Sequence, residues 1–411
     1  MLTGCGSAAS AAASSADASG TITLFNSDPT ISDELGALTK AYERERGVQV
    51  KVINCPTSAD SQAILKQYYR SGNLPDIISC DASALDSWGS LLTDLSGQSW
   101  CSDTDYAYTS SKYGTIGFPY CIEGIGIAYN AEILKKLNID PSFVKDTETF
   151  TSVLFVAYSL RDSLKLTSVV ACCASPAYLS SARGTQLFGA YLDSGQERSD
   201  TALLDKLSTD EPLEHDRAFD YAFYLSLIQH FSDKELLLRG TYEDQLSGFA
   251  KEDYAFITQG SWAGRDILKK FANAYSSSGN FDIGYLPFTF QSGLDTLLVD
   301  APLWWAVTKG GSVEESQRFL SWCSGESAQK LLVEDMGFIS PFRSCKYRSS
   351  NPFAPSVEQF SARGKTSGWH WMALSPGMRT NAVAPVLNDY AQGKLGIEEF
   401  LTNLSKRIRA Y

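Results

Sequence analysis

The 411-residue chain has no run near the ~18 apolar residues that a membrane-spanning helix requires; short stretches such as Ser152 to Leu160 come nearest. Its three histidines, His215, His230 and His370, and its cysteines, none at C-x-x-C spacing, imply no metal site. A G-x-S-x-G nucleophile elbow, an H-E-x-x-H helix and a Walker phosphate loop are all missing, which removes the sequence-visible routes to serine, zinc-dependent and nucleotide hydrolysis and implies no cofactor. No internal repeat of about 20 to 50 residues is present. Positive charge is also short: 35 Lys and Arg stand against 47 Asp and Glu, a net charge of −12. Nucleic acid and anionic membrane would both repel such a surface, so neither is a main partner.

What remains is ordinary globular material, 44% hydrophobic and 20% charged, long enough for two domains of about 150 to 200 residues each. Residues 1–20 differ. From Gly6 to Gly20 almost every residue is Ser, Ala or Gly, a tract unable to bury a core and suited to a flexible tether. Leu2-Thr3-Gly4-Cys5, just ahead of it, resembles the small-residue box before the lipidated cysteine of bacterial lipoproteins, although the charged and apolar parts of a secretion signal are missing. The alternative is a chance LTGC. The nine cysteines are an odd number, and a lipid on Cys5 leaves eight, most of them read as small buried apolar groups.

The first eighty residues alternate between two periods. Thr21 to Phe25 reads as a strand ending in Asn26-Ser27-Asp28-Pro29; Ser32 to Arg46 reads as a helix with acids in its first turn and Gly47 behind it. Val48, Val50 and Val52 alternate with polar residues, a helix follows from about Asp60 to Ser71, and Asp76-Ile-Ile-Ser-Cys-Asp81 is a short buried strand stopping at an acid. This β-α-β-α-β order predicts a parallel sheet. Trp88 to Leu95 reads as a short helix and turn. Residues from Ala131 to about Lys270 are mostly helical, interrupted by a strand before Gln259-Gly-Ser-Trp262. Strands follow around Phe281 to Pro287 and Pro302 to Val307, a helix behind a Ser312/Glu315 capping box, and a last amphipathic helix carrying Ile397, Phe400, Leu401, Leu404 and Ile408.

Five stretches in this order resemble the extracellular solute-binding proteins of carbohydrate ABC importers, the family of maltose-binding protein. They are the opening strand and helix to Gly47, Ser71-Gly-Asn-Leu-Pro-Asp-Ile-Ile78, Phe118-Pro-Tyr-Cys-Ile-Glu-Gly-Ile-Gly-Ile-Ala-Tyr-Asn130, Phe256-Ile-Thr-Gln-Gly-Ser-Trp262, and the Pro302 strand with its Ser312 helix. The resemblance implies an α/β, two-lobed periplasmic-binding-protein fold of type II, each lobe a mainly parallel sheet flanked by helices and discontinuous in sequence. Residues 21–128 plus 288–335 would form the N-terminal lobe and 129–287 plus 336–411 the C-terminal lobe. Crossings fall near Tyr129, Pro287 and Met336. The resemblance also implies a monomer that binds a small-molecule ligand, a sugar or small oligosaccharide, by hinge closure and passes it to the permease subunits of an ABC transporter, held at an extracytoplasmic membrane face by the lipid on Cys5.

Candidate ligand contacts follow. Asp28 and Asp81 end first-lobe strands, where open α/β sheets collect ligands, although an acid there also serves as turn former or helix N-cap. Glu123 matches the acid of the family's Val-Glu motif, and a carboxylate can accept from two adjacent sugar hydroxyls; an exposed turn acid is the alternative. Trp262 matches the family tryptophan whose flat face suits a pyranose, against a core role. Trp304 and Trp305 must point to opposite faces of a strand, so one at most reaches a cleft, and Trp304 is the one carried forward. Trp369 and Trp371 would share a face if they lay on a strand. Arg379 could fork to hydroxyls or an anion, or serve as a salt-bridge partner. Other ligands, a glycerophosphodiester or a polyamine, remain open. So does an extracytoplasmic glycoside hydrolase using Asp81 and Glu123 as its carboxylate pair.

Overall fold

The computed structural model describes residues 20–57, 59–181 and 183–411; Cys5 and the tether lie outside the described residues. The expected opening is there. Strands β1 (Thr21–Asn26), β2 (Gln49–Asn54) and β3 (Ile77–Cys80) are joined by helices α1 (Ser32–Arg46) and α2 (Ser61–Arg70), and β1 lies parallel to both others. Gly47 ends α1 with φ 72°, the left-handed conformation that glycine adopts without a Cβ clash. Asp76 fastens the sheet: its carboxylate accepts from Thr23 N and Oγ1 on β1 and from Ser312 N.

The remaining strands are β4 (Tyr108–Ser110), β5 (Gly114–Pro119), β6 (Glu123–Ile125), β7 (Ile127–Asn130), β8 (Val170–Ala171), β9 (Phe256–Ile257), β10 (Ile283–Leu286), β11 (Leu297–Asp300), β12 (Trp304–Val307) and β13 (Thr366–Ser367). They form a six-stranded sheet β2-β1-β3-β12-β5-β4, a four-stranded sheet β10-β7-β9-β8 and, between them, a ribbon β13-β11-β6. The sheets are mixed, which corrects the expectation of mainly parallel sheets. β12 returns from the other lobe and inserts antiparallel between β3 and β5, and β7 is antiparallel to both its neighbours.

Two lobes follow from the connectivity. The chain leaves the six-stranded sheet after β5, runs along β6 and enters the four-stranded sheet at β7; it returns from β10 along β11 to β12. Side chains change core accordingly. Tyr120 and Cys121 pack in the first lobe with Trp305, whereas Ile122, Ile125 and Ile127 pack in the second with Leu297, Leu298 and Val299. The crossings expected at Tyr129 and Pro287 therefore lie within the second core. The changes of core fall at Cys121–Ile122, between Val299 and Ala301, and at Phe338–Ile339. The first change thus falls earlier than the resemblance implied and the other two later, because the ribbon strands β6 and β11 pack with the second core.

Two local expectations shift. The helix after β3 is α3 (Ala82–Trp88), with only a 3-10 turn at Gly89–Leu91 beyond it, because Asp81 occupies its N-cap position. Ser312 forms no side-chain cap on the helix Val313–Cys323; its N–H is taken by Asp76, and Glu315 accepts from Tyr42 Oη instead.

Candidate functional site

A cavity of about 1360 Å³ opens between the lobes. Its first wall is made from the carboxyl ends of β1 and β3 and from α2 and α3, so Asp28 and Asp81 both line it, where a parallel sheet directs its loops. Asp28 is partly occupied by its own turn, accepting from Thr30 N at 3.0 Å and Thr30 Oγ1 at 2.6 Å. Asp81 accepts from Ser83 Oγ at 2.7 Å, and its other oxygen lies 3.7 Å from Arg379 Nη2 on the opposite lobe.

The second wall centres on Trp262, which lines the cavity at the start of the helix Ala263–Lys270. A buried polar network holds its ring. Trp262 Nε1 donates to Gln259 Oε1 (3.1 Å), and Gln259 Nε2 donates to Tyr178 Oη (2.9 Å) and Gln245 Oε1 (2.8 Å). Gln186 adds a donor to Tyr178 Oη at 2.9 Å. Gly260 leaves room for the ring, since a Cβ there would come within 2.1 Å of it. Trp369 also lines the cavity and meets Trp262 edge to face, ring centres 6.2 Å apart.

Arg183 was not among the sequence candidates. Its guanidinium lies 4.3 Å from the centre of the Trp262 ring, and Nη2 lies 2.9 Å from Glu123 Oε2. Burial raises the Glu123 carboxyl above its ordinary value, while Arg183 and Arg265 pull it back. Burial opposes the Arg183 charge too, but Glu123 and Asp28 outweigh it and hold the guanidinium above its usual range. Arg379 is pulled down by burial, and Asp81 acts against this. Cavity-lining Arg265 and Lys269 both pair with Glu34 on α1, joining the lobes again. Arg183 sits in the polar stretch Ser180–Gly184, which carries no periodic signal.

Of the eight candidates, Asp28, Asp81, Trp262, Trp369 and Arg379 line one cavity. Glu123 lies behind the wall, its carboxylate taken by Arg183 rather than presented to the cavity. Trp371 is buried behind Trp369 at 6.3 Å, because His370–Ala373 is a 3-10 turn rather than a strand. Trp304 is corrected outright: it is 4% exposed in the first-lobe core, donating Nε1 to the Tyr106 carbonyl at 2.8 Å and packing on Tyr108. Trp304 and Trp305 do face opposite sides of the sheet, but helices and loops cover both sides.

Residues 37–354 match the family of bacterial extracellular solute-binding proteins. The chain belongs to this family. No curated protein sequence matches it. Among solved structures it is similar to the binding protein Msme of Bacillus subtilis in an open conformation, with TM-score 0.73 and 17% identity, covering 96% of this chain and 98% of that one. Apo RafE of Streptococcus pneumoniae gives TM-score 0.70 at 16% identity, with 95% and 98% covered. A sugar transporter protein of Bacillus licheniformis in complex with stachyose gives 0.68 at 16%, with 94% and 98% covered. At such identities the likeness shows the two-lobed α/β fold. Among the described residues, no helix is long and apolar enough to cross a membrane and no cluster of three or more His, Cys, Asp or Glu is placed to hold a metal.

Proposed function

We propose that this solute-binding protein captures a sugar or small oligosaccharide between its lobes and delivers it to the permease of an ABC importer. The observation that carries the reading is the composition of the cavity wall: two tryptophans in edge-to-face contact beside Arg183, Arg379, Asp28 and Asp81. Aromatic faces suit the C–H side of a pyranose, and charged hydrogen-bonding groups around them suit its hydroxyls. RafE has been solved with raffinose and the Bacillus licheniformis protein with stachyose, which supports the same ligand class here. A cavity of this volume accommodates a small oligosaccharide.

The cavity is bounded by both lobes, so a ligand touching both stabilises the closed arrangement by its differential affinity for it. In this proposal the lobes are residues 21–121 with 301–338 and 122–299 with 339–411, Asp300 being the joint. Asp81, Trp262, Trp369 and Arg379 contact ligand, with Asp28 at the edge and Glu123 acting through Arg183. The protein is a carrier and not a hydrolase: of the carboxylate pair that a glycosidase reading would use, Asp81 lies 3.7 Å from Arg379 and Glu123 is withdrawn from the cavity by Arg183. A lipid on Cys5 would tether it at an extracytoplasmic face. Thermal shift and calorimetry against neutral oligosaccharides, glycerophosphodiesters and polyamines test the ligand class. At least one oligosaccharide should raise the Tm and bind one to one; stabilisation by a phosphodiester or polyamine alone would overturn it.

A further inference from the structure

Two carboxylates face each other across the ribbon on which the chain passes between the lobes. Glu123 on β6 and Asp300 on β11 are register partners in an antiparallel pair. Directly opposed residues send their side chains to the same face, Cβ atoms roughly 5 Å apart, and like charges so placed repel. Each carboxylate has its own arginine: Arg183 lies 2.9 Å from Glu123 and Arg198 lies 2.8 Å from Asp300.

Both acids lead on to a cavity tryptophan. Arg183, held by Glu123, lies over the Trp262 ring at 4.3 Å, and Asp300 Oδ2 accepts the backbone N–H of Trp369 at 3.2 Å. The backbone repeats the arrangement. Gly124 on β6 donates to Ser261 Oγ (2.9 Å) and accepts from Ser261 N (2.8 Å), beside Trp262. On the other side, β13 lies parallel to β11, with Leu298 opposite Ser367, and leads through Gly368 into Trp369. Arg198 also donates to the Val299 carbonyl at 2.6 Å and stacks 4.6 Å from the Tyr106 ring centre, whose residue accepts from Trp304 in the first-lobe sheet.

We propose that Glu123 and Asp300 are paired positioning residues of the ribbon, each holding one cavity tryptophan, so that together they set the angle between Trp262 and Trp369. The ligand consequence rests on the cavity-binding reading above; the positioning of the tryptophans does not.

Fluorine NMR of the full chain labelled with 5-fluorotryptophan tests this without a ligand. The chain has eight tryptophans, and Trp262→Phe and Trp369→Phe assign the two lines of interest. Asp300→Ala should move and broaden the Trp369 line, Asp300→Asn, which keeps an acceptor for the Trp369 N–H, should move it less, and Glu123→Gln should move the Trp262 line. The lines of the tryptophans outside this pair report that the fold is intact, and if the alanine variant unfolds, the asparagine variant carries the test. A Trp369 line unmoved in a folded Asp300 variant would overturn the proposal. In calorimetry with raffinose and stachyose as probes, Asp300→Ala should weaken binding by about tenfold, the scale of one hydrogen bond to a charged group. Lines that move as stated while neither sugar binds the unaltered protein would count against the carbohydrate reading and support the positioning of the tryptophans.

Discussion

Replacing Arg183 by Met leaves the Glu123 carboxylate, whose side chain is 7% exposed, without its nearest counter-charge. Breaking a buried pair from one side costs about 3 to 5 kcal/mol. The lower end applies here, because Arg183 is itself 30% open to the cavity and Arg265 also acts on Glu123. A loss of about 3 kcal/mol at pH 7 is on the order of a hundredfold in the unfolding equilibrium. The pH dependence follows from the direction of the Glu123 shift. Its folded pKa is raised above the ordinary 4.5, so its burial costs nothing below that value and destabilises increasingly as pH rises through the folded pKa. Removing Arg183 raises the folded pKa further, so the deficit should be larger at pH 7 than at pH 5. Arg183→Met combined with Glu123→Gln removes both charges and should recover most of the loss. Equilibrium urea unfolding of the unaltered protein and these two variants at both pH values provides the measurement. A deficit below about 1 kcal/mol for Arg183→Met, or one that does not change with pH, would refute the reasoning.

Other consequences are equally direct. Trp262→Ala should weaken oligosaccharide binding by at least about thirtyfold in calorimetry, the scale of an interface hot spot of about 2 kcal/mol. Trp304→Ala should cost about 3 to 5 kcal/mol of stability by chemical denaturation, as an aromatic truncated in a core does, while Trp304→Phe should keep native affinity. Arg379→Met should loosen the contact across the cavity mouth at Asp81, seen as a larger radius of gyration of the ligand-free protein in small-angle scattering. His370 gives a pH signature. Burial opposes its charge, but its bond from Nδ1 to the buried Asp193 at 2.8 Å outweighs this and raises its pKa above 6.5. Its stabilising contribution is thus complete below 6.5 and lost as pH rises through the folded value, so unfolding free energy should fall with pH there, with a shallower slope in His370→Gln.

The half of the fold that was legible in the sequence is the half with local periodicity. Val48, Val50 and Val52, the helix closed by Gly47 and the strand ending at Asp81 each carry their own pattern, and together they fix a parallel β1-β3 unit with Asp28 and Asp81 at its carboxyl edge. The mixed sheets were not legible, because β12 reaches its place between β3 and β5 only after the chain has built the other lobe. Alternation placed Trp304 and Trp305 on opposite faces, but whether a face is covered depends on remote elements: Trp305 stacks between Tyr120 and Phe319 and is fully buried. Glu123 was read as a ligand group because its motif is local; the Arg183 that claims it lies in a loop with no pattern. Trp369 reached the cavity and Trp371 did not, since the turn at His370–Ala373 breaks the two-residue period on which their shared face depended.

Native mass spectrometry of the protein purified gently from its own cells tests the central claim most directly, by showing what the cavity retains. The account predicts a one-to-one adduct that fragments by loss of saccharide units and disappears in Trp262→Ala. A retained peptide, phosphodiester or polyamine, equally bound by the Trp262 variant, would contradict it.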